Sequence, residues 1–313
     1  MKLNSNFTIR PYTQEDENPI NDAFNNVFGA NRSLQEWKWK FQDSSNILLS
    51  LSEEDQVVGH YATINENFQY EGIHFVCGHS VDTFSQRVEG AIQTKLIQKL
   101  VFQFFALYGN SNHISLMYGF PGTRILKLGQ LKFDYGRGLP IPFWEKQVES
   151  QKYFPRIQLP KRFSIAKMDS LWTEAKHRYP VSVVRDAYWI QKRYLTRPNH
   201  NYLILWVKQK GNYACVAVVV KKNEALEVID LIWDGKQEKN LILLEKKITQ
   251  TAARLGLMKM SMWLSGDEPA AKILSNLSWT LKEEPHKLHL VVKSFNPKID
   301  REHALDQFYL TKG

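Results

Sequence analysis

The chain has 313 residues, of which 43% are hydrophobic and 12% aromatic, and this composition excludes a disordered or collagen-like protein. No apolar run approaches the roughly 20 residues that a membrane-spanning helix needs. The polar residues 1–6 do not resemble a signal peptide, so we expect a soluble, cytoplasmic protein without a membrane partner. Cys77 and Cys215 are the only cysteines, too few for a disulfide framework or a thiolate metal cage.

The net charge of +9 is concentrated in the middle of the chain. Residues 1–150 carry 13 basic and 16 acidic side chains, residues 151–210 carry 13 and 3, and residues 211–313 carry 15 and 13. A protein that binds nucleic acid over its whole surface would not show this distribution, so we expect no nucleic-acid partner. The basic segment either borders an anionic ligand site or is an ordinary solvated connector.

Length and hydrophobic periodicity predict two mixed α/β halves. In the first half we predict a helix at 19–28, an aromatic helix or turn at 34–41, strands at 47–53, 57–65 and 73–83, a helix at 91–108, a strand at 114–120, a helix at 123–130 and a last strand beginning at 131–136. In the second half we predict strands at 202–210, 213–222 and 225–233, a helix at 238–255, a strand at 258–264, a helix at 269–277 and a strand at 288–293.

The two halves repeat the same order of features, which indicates two copies of one fold. Trp37 and Trp189 each lie in an aromatic and basic segment that precedes an apolar strand. Later in each half, a short strand and a helical stretch lead to Phe133 and to Trp279. We expect a first copy at 1–142, a connector at 143–180 and a second copy at 181–313.

This order of elements resembles the GNAT acyltransferases, and the two copies resemble a tandem GNAT protein. The resemblance covers nearly the whole chain and is strongest in five motifs: Val58-Gly59-His60-Tyr61, Ser80-Val81-Asp82-Thr83, Thr94-Lys95-Leu96, Met117-Tyr118-Gly119-Phe120-Pro121 and Leu131-Lys132-Phe133. It implies an α/β fold of the α+β type, with two tandem GNAT-like domains. Each domain would be a mixed, mostly antiparallel sheet with helices on both faces.

The resemblance also implies that acyl-CoA, most simply acetyl-CoA, binds between the strands at 73–83 and 114–120 as a substrate, without a metal. Backbone groups of the first strand would pair with the pantetheine arm. The following loop would wrap the pyrophosphate at the N-terminus of the next helix. The residues expected to bind CoA are Val81, Asp82, Thr83, Arg87, Val88, Glu89, Gly90, Ala91, Ile92 and Gln93.

The predicted pyrophosphate loop departs from the family pattern of Arg or Gln, two residues, Gly, one residue, and Gly or Ala. Arg87 and Gly90 fit, but Ile92 stands at the last position, and the other register puts Ala91 and Gln93 at the small positions. The loop either binds CoA in modified form or has lost this function and is structural. The second copy lacks the spaced small residues at 235–240, so we expect a degenerate, non-catalytic partner.

Three residues are candidates for acyl-transfer chemistry, since alignment with the family puts Leu128 or a neighbour where the family often has a catalytic Tyr. Tyr118 is either a substitute general acid or a core aromatic residue, and His79 is either a base or a buried structural histidine. Asp82 either orients or deprotonates an amine or caps the following loop. His74, Cys77 and His79 do not converge as metal ligands along one strand, so we expect no zinc site.

The expected acceptor is the amine of a small polar molecule, such as an amino sugar or its nucleotide-linked form. Trp37 and Trp39 either wall the acceptor site or pack between the copies, and Arg193 and Arg197 would attract an anionic acceptor. Two alternatives remain open from the sequence. One is an aminoacyl-tRNA-dependent transferase with a tandem GNAT fold, and the other is a non-catalytic GNAT-like binding protein.

Overall fold

The computed structural model describes residues 7–42, 45–88, 95–149 and 163–313. These residues form two compact units, each drawn from separate stretches of the chain. The first unit contains the described residues of Met1–Phe68, His74–Leu139 and His289–Leu305. The second unit contains those of Gln69–Ile73, Pro140–Leu288 and Asp306–Gly313.

The first unit is built mainly from strands β1 to β6 and β14 and from helices α1 to α4 and α9. The strands are β1 (Thr8–Pro11), β2 (Ser45–Leu51), β3 (Val57–Tyr70), β4 (Ile73–Ser85), β5 (Leu116–Gly119), β6 (Leu139–Pro140) and β14 (His289–Ser294). The helices are α1 (Glu17–Phe28), α2 (Leu34–Phe41), α3 (Leu96–Tyr108), α4 (Thr123–Lys132) and α9 (Arg301–Asp306), with a 3-10 turn at Gln14–Asp16.

The first sheet has the strand order β1-β2-β3-β4-β5-β14-β6. Strands β1, β2 and β3 are antiparallel neighbours. Strands β3 and β4 are joined at Glu71 and Gly72, whose positive φ angles of 49° and 79° suit a tight hairpin turn. Strand β5 is parallel to β4 and antiparallel to β14, so the sheet is mixed.

Helices cover both faces of this sheet, because successive residues of a strand point to opposite sides. Leu49 of β2 packs in a buried cluster with Trp37 of α2, and residues of α1 belong to the same cluster. The preceding residue, Leu48, packs with Phe104 of α3 on the other face. The α1–α2 face and the α3 face are therefore distinct.

The second unit repeats this plan. Its strands are β7 (Phe143–Gln147), β8 (Val181–Val183), β9 (Leu203–Gln209), β10 (Asn212–Lys222), β11 (Ala225–Trp233), β12 (Lys259–Trp263) and β13 (Thr280–Lys282). Its helices are α5 (Ile165–Ala175), α6 (Ala187–Ile190), α7 (Glu238–Arg254) and α8 (Glu268–Asn276), with a 3-10 turn at Lys176–Arg178 and a π-helical turn at Gln191–Leu195.

The second sheet has the order β13-β7-β12-β11-β10-β9. Strands β9, β10 and β11 are antiparallel neighbours, and β12 runs parallel to β11. Both units therefore contain three antiparallel strands, a helix and a strand parallel to the third. This confirms the predicted fold class and its duplication.

The structure differs from the sequence predictions where strands choose distant partners. Strand β7 lies within the predicted connector and pairs with β12, whereas β14, near the end of the predicted second copy, pairs with β5. The units are thus interleaved along the chain, where the sequence indicated consecutive copies. The predicted strand at 131–136 is wrong, because α4 continues to Lys132 and residues with positive φ, Asp134 and Gly136, then turn the chain.

Candidate functional site

A cleft opens in the first unit where two parallel strands separate. Strands β4 and β5 pair as far as His79 and Tyr118. Beyond this point β4 continues to Ser85, whereas β5 ends at Gly119. A cavity of about 350 Å³ lies at the separation, bounded by residues 80–83 on one side and 119–122 on the other.

The wall of the cavity combines a strand edge with apolar side chains. The apolar residues come mainly from α3, α4 and β14: Ile97, Val101, Phe105, Met117, Ile125, Leu128, Phe133 and Val291. Backbone groups on a strand edge can pair with an extended ligand, while the apolar wall covers its methylene groups. The cavity therefore suits a long ligand that carries both amide and aliphatic parts.

Five residues that carry hydroxyl groups line the same cavity: Tyr61, Ser80, Thr83, Tyr118 and Tyr135. Burial, and then the nearby Tyr135 phenol, raises the pKa of Tyr61 well above its ordinary value. Burial also raises the pKa of Tyr135. Both phenols therefore keep their protons at neutral pH and can donate hydrogen bonds. A Cβ atom at Gly129 would lie 2.1 Å from the Tyr135 ring, so a glycine is needed there to seat this ring.

Asp82, on the strand edge of the cavity, is held between two cations. Nη1 of Arg32 and Nζ of Lys40 bind its two carboxylate oxygens, the latter at 2.6 Å. Burial acts to raise the pKa of Asp82, but Lys40 and Arg32 together hold it below its ordinary value. Its φ of 50° is left-handed, a conformation that costs about 1–2 kcal/mol for a residue with a Cβ.

The backbone of Asp82 is held as well. Nδ1 of His60 lies 2.7 Å from the Asp82 carbonyl oxygen, so this nitrogen carries the proton and donates it. The His60 ring is fully buried, stacked on Phe84 and edge-on to Phe41. Burial lowers the pKa of His60 to about 4, and the histidine is therefore neutral at pH 7.

A second cluster of polar side chains lies at the point where β4 and β5 separate. The Tyr118 hydroxyl donates a 2.6 Å hydrogen bond to Oε2 of Glu66 on β3. The His79 ring stacks on Tyr118 with 4.5 Å between ring centroids. Three neighbouring strands thus bring a carboxylate, an imidazole and a phenol together, and Tyr118 also lines the cavity.

Solved structures with the same architecture show which fold this is. A probable N-acyltransferase from Enterococcus faecalis V583 superposes with a TM-score of 0.66 at 12% identity, over 93% of this chain and 73% of that one. A GCN5-related N-acetyltransferase from Anabaena variabilis gives 0.64 at 12% identity, with the same coverage. Saccharomyces cerevisiae N-myristoyltransferase, solved with bound myristoyl-CoA, gives 0.60 at 9% identity, over 99% of this chain and 89% of that one.

The chain has a tandem GNAT fold. The amino-acid sequence matches no protein-family model and no curated protein, so the likeness rests on structure. The predicted resemblance to GNAT proteins is confirmed at the level of the fold.

The cleft of the second GNAT copy is filled by the chain itself. Strand β11 pairs with β12 up to Val228 and then continues to Trp233. Beyond the separation, the carbonyl of Leu231 accepts a hydrogen bond from Tyr309. The carbonyl and N–H of Trp233 both bind the Tyr179 hydroxyl, at 3.2 and 3.0 Å. Backbone groups that a ligand would need here are already bonded.

The residues of this chain that were predicted to bind CoA fall into three groups. Val81, Asp82 and Thr83 line the cavity. Arg87 is exposed, and Val88 packs against the buried Val58 and Leu96. The other predicted loop residues, Glu89, Gly90, Ala91, Ile92 and Gln93, lie outside the described residues.

The predicted acceptor-binding residues are divided between the two units. Trp37 is a core residue on the α1–α2 face, and Trp39 on the same helix is half-buried. Arg193 and Arg197 belong to the second unit, where Arg197 donates a 2.8 Å hydrogen bond to the Tyr202 hydroxyl. Of these four residues, Trp37 has a packing role within its own unit.

The sequence interpretation missed Glu66, Tyr61 and Tyr135 as site residues. Tyr61 belongs to the motif at 58–61, but nothing in the sequence indicated that its side chain lines a cleft, and Glu66 lies one residue beyond the predicted end of β3. Tyr135 fell in the stretch predicted as a strand, which hid the turn that brings its ring back over Gly129. Alternation along β3 would have placed Tyr61 on the helix-α3 face.

Within the residues that the structure describes, no group of three His, Cys, Asp or Glu side chains is arranged to hold a metal ion. In that same part of the chain, every helix is too short or too polar to cross a membrane. Both cysteines are free and buried.

Proposed function

We propose that the chain is an acyl-CoA-dependent N-acyltransferase whose first unit, with its predicted core at residues 1–142, performs the reaction. The observation that carries this proposal is the cleft between β4 and β5, with a strand edge on one side and apolar side chains on the other. Pantetheine is an extended arm with amides and methylene groups, so this cleft matches it in chemistry.

The backbone of Val81 and Thr83 pairs with the pantetheine amides in this proposal. Helix α3 begins at Leu96 beside the cavity, and Ile97 in its first turn lines the wall. The N-terminus of a helix favours an anion, so the pyrophosphate of CoA belongs at this end, with Arg87 nearby in sequence. The second copy is non-catalytic, because tyrosine side chains bind the corresponding backbone groups.

The reaction joins the acceptor amine to the acyl carbon. The amine nitrogen attacks the thioester carbonyl, a C–N bond forms, the C–S bond breaks, and CoA leaves as a thiolate. We place His79 as the group that accepts the amine proton, with Tyr118 and Glu66 orienting it. We assign to Tyr135 the proton that the thiolate takes up, because this residue lines the cleft and burial raises its pKa, so that the phenol is protonated at neutral pH.

The proposed role of Asp82 is to position the strand rather than to act as a base. Its carboxylate already binds Arg32 and Lys40, and its pKa is lowered. A base must accept a proton near the working pH, which a carboxylate held between two cations does poorly.

The acyl group in this proposal is acetyl, and the acceptor is a small polar amine such as an amino sugar. Two solved neighbours are named N-acetyltransferases, which supports the acetyl group, and the basic stretch at 151–210 favours an anionic or phosphate-linked acceptor. Arg193 and Arg197 are the residues proposed to attract it.

The test is release of CoA thiol from acetyl-CoA and longer acyl-CoAs in the presence of amine acceptors. We expect acyl-CoA at 100 times its Kd to stabilise the chain by about 2.7 kcal/mol, and amine to make thiol release rise. Gly119→Leu should abolish both effects, since it places a side chain in the cleft. Lys127→Leu, at an exposed position of α4 outside the cavity lining, is the control. Absence of binding by any acyl-CoA would contradict the proposal.

A further inference from the structure

Asp82 is fixed from three directions by residues outside the cleft. Arg32 follows α1 and Lys40 lies on α2, and both bind the Asp82 carboxylate. His60 on β3 binds the carbonyl oxygen. The Arg32 and Asp82 side chains are each 8% exposed, so this ion pair is shielded from solvent. These contacts join the α1–α2 face to one residue of β4.

That residue is where β4 departs from regular strand geometry. The last pair with β5 is at His79, and Asp82, three residues later, is left-handed. The residues on both sides of it, Val81 and Thr83, line the cavity. A residue with a Cβ keeps this conformation only when its surroundings impose it. The ion pairs and the His60 hydrogen bond supply that constraint.

We infer that Arg32, Lys40 and His60 form a clamp on Asp82 that keeps the edge of β4 open and so sets the affinity of the cleft for acyl-CoA. They act as positioning residues, since none of the three lines the cavity. The inference rests on the proposed function for the identity of the ligand. Without the clamp, residue 82 relaxes toward extended geometry, and only a fraction of molecules presents the open cleft. Apparent Kd rises as that fraction falls.

The rival explanation is that these ion pairs only stabilise the fold. Lys38 provides a matched control, because it lies on the same helix and pairs with Glu17 at 2.8 Å, and neither residue lines the cavity. If ion pairs on α2 acted only through stability, losing either lysine would leave acyl-CoA affinity unchanged.

A second comparison isolates the backbone. Asp82→Ala and Asp82→Gly both remove the carboxylate, but only glycine adopts positive φ without a steric penalty. A purely electrostatic or stabilising role predicts the same acyl-CoA affinity for both variants. The clamp predicts that the glycine variant binds more tightly than the alanine variant, because glycine still visits the open geometry.

The experiment measures acetyl-CoA Kd by calorimetry, KM and kcat, and the free energy of unfolding in urea. We expect Lys40→Met and Asp82→Ala to raise Kd and KM about tenfold with kcat at saturation retained, Asp82→Gly to raise Kd about threefold, and Lys38→Met to match the wild type. Wild-type Kd in both Lys40→Met and Asp82→Ala, or equal losses in the two Asp82 variants, would overturn the clamp.

Failure of the proposed function has a different signature, namely a wild-type chain that binds no acyl-CoA. The clamp is then tested without ligand, by a crystal structure of Lys40→Met. We expect residue 82 to leave the left-handed region and β4–β5 pairing to extend past His79. An unchanged φ at residue 82 and an unchanged cleft would overturn the inference regardless of the ligand.

Discussion

The hydroxyl of Tyr118 and the carboxylate of Glu66 are joined by a 2.6 Å hydrogen bond that reaches across β4. The two residues lie on β5 and β3, and His79 on the strand between them stacks on the Tyr118 ring. The phenol is thus held by the carboxylate at its hydroxyl and by the imidazole at its ring face. In the proposed reaction, this pair attracts and orients the ammonium group of the acceptor, which must lose its proton before it reacts.

Glu66→Gln tests this arrangement because it removes the charge and keeps the side-chain shape. We expect kcat to fall about a hundredfold, the lower range for loss of acid–base assistance, with KM for acyl-CoA unchanged. Steady-state kinetics with varied acceptor and acyl-CoA measures both effects. Glu54→Gln, at an exposed turn, is the control. An unchanged kcat would exclude Glu66 from the reaction.

Because His60 is buried, we expect the first unit to become less stable as the pH falls. Burial lowers its pKa from 6.5 to about 4, so the unfolded chain binds a proton more readily than the folded one between these values. The contribution of neutral His60 is complete above pH 6.5 and is lost as the pH falls toward 4, by about 3 kcal/mol in all.

His60→Asn keeps a donor for the Asp82 carbonyl and removes the titration. We expect the difference in unfolding free energy between neutral pH and about pH 4.5 to shrink by roughly 2 kcal/mol in this variant. Urea unfolding at the two pH values measures it, with exposed His113→Asn as the control. Equal pH dependence in wild type and His60→Asn would show that His60 is not the titrating group.

Gly129→Ala separates helix propensity from the seating of Tyr135. In an exposed helix this change stabilises by about 1 kcal/mol, but here the new Cβ would lie 2.1 Å from the Tyr135 ring. We therefore expect lower stability and a lower kcat, since the ring must move from the cleft. Lys127→Ala, at an exposed position of the same helix outside the cavity lining, should show neither change. A more stable Gly129→Ala chain with full activity would remove Tyr135 from the site.

Local sequence patterns were sufficient to predict most helices and strands. They did not predict which strands pair when the strands are distant in sequence. The aromatic segment at 34–41 was predicted as a helix or turn and is helix α2, and the strand at 225–233 matches β11. Hydrophobic periodicity indicates which residues of a strand are buried. It carries no information on which sheet the strand joins. This is why β7 was interpreted as connector and β14 as part of the second copy.

The part of the candidate site that consists of a strand edge could be predicted from the sequence. Val81, Asp82 and Thr83 line the cavity because a strand edge is fixed by strand order, which the resemblance implied. Glu66, Tyr135 and the partners of Asp82 were missed because they depend on side chains from α1, α2, β3 and a turn that meet only in the folded chain.

The most direct test of the central claim is the number of acyl-CoA molecules that the intact chain binds. The open first cleft and the filled second one predict a stoichiometry of about one by calorimetry. Gly119→Leu should abolish this binding, and Tyr179→Phe, which weakens the second unit by removing a buried hydrogen-bonding group, should leave it unchanged. Binding that survives Gly119→Leu, or no binding at all to the wild-type chain, would contradict the account.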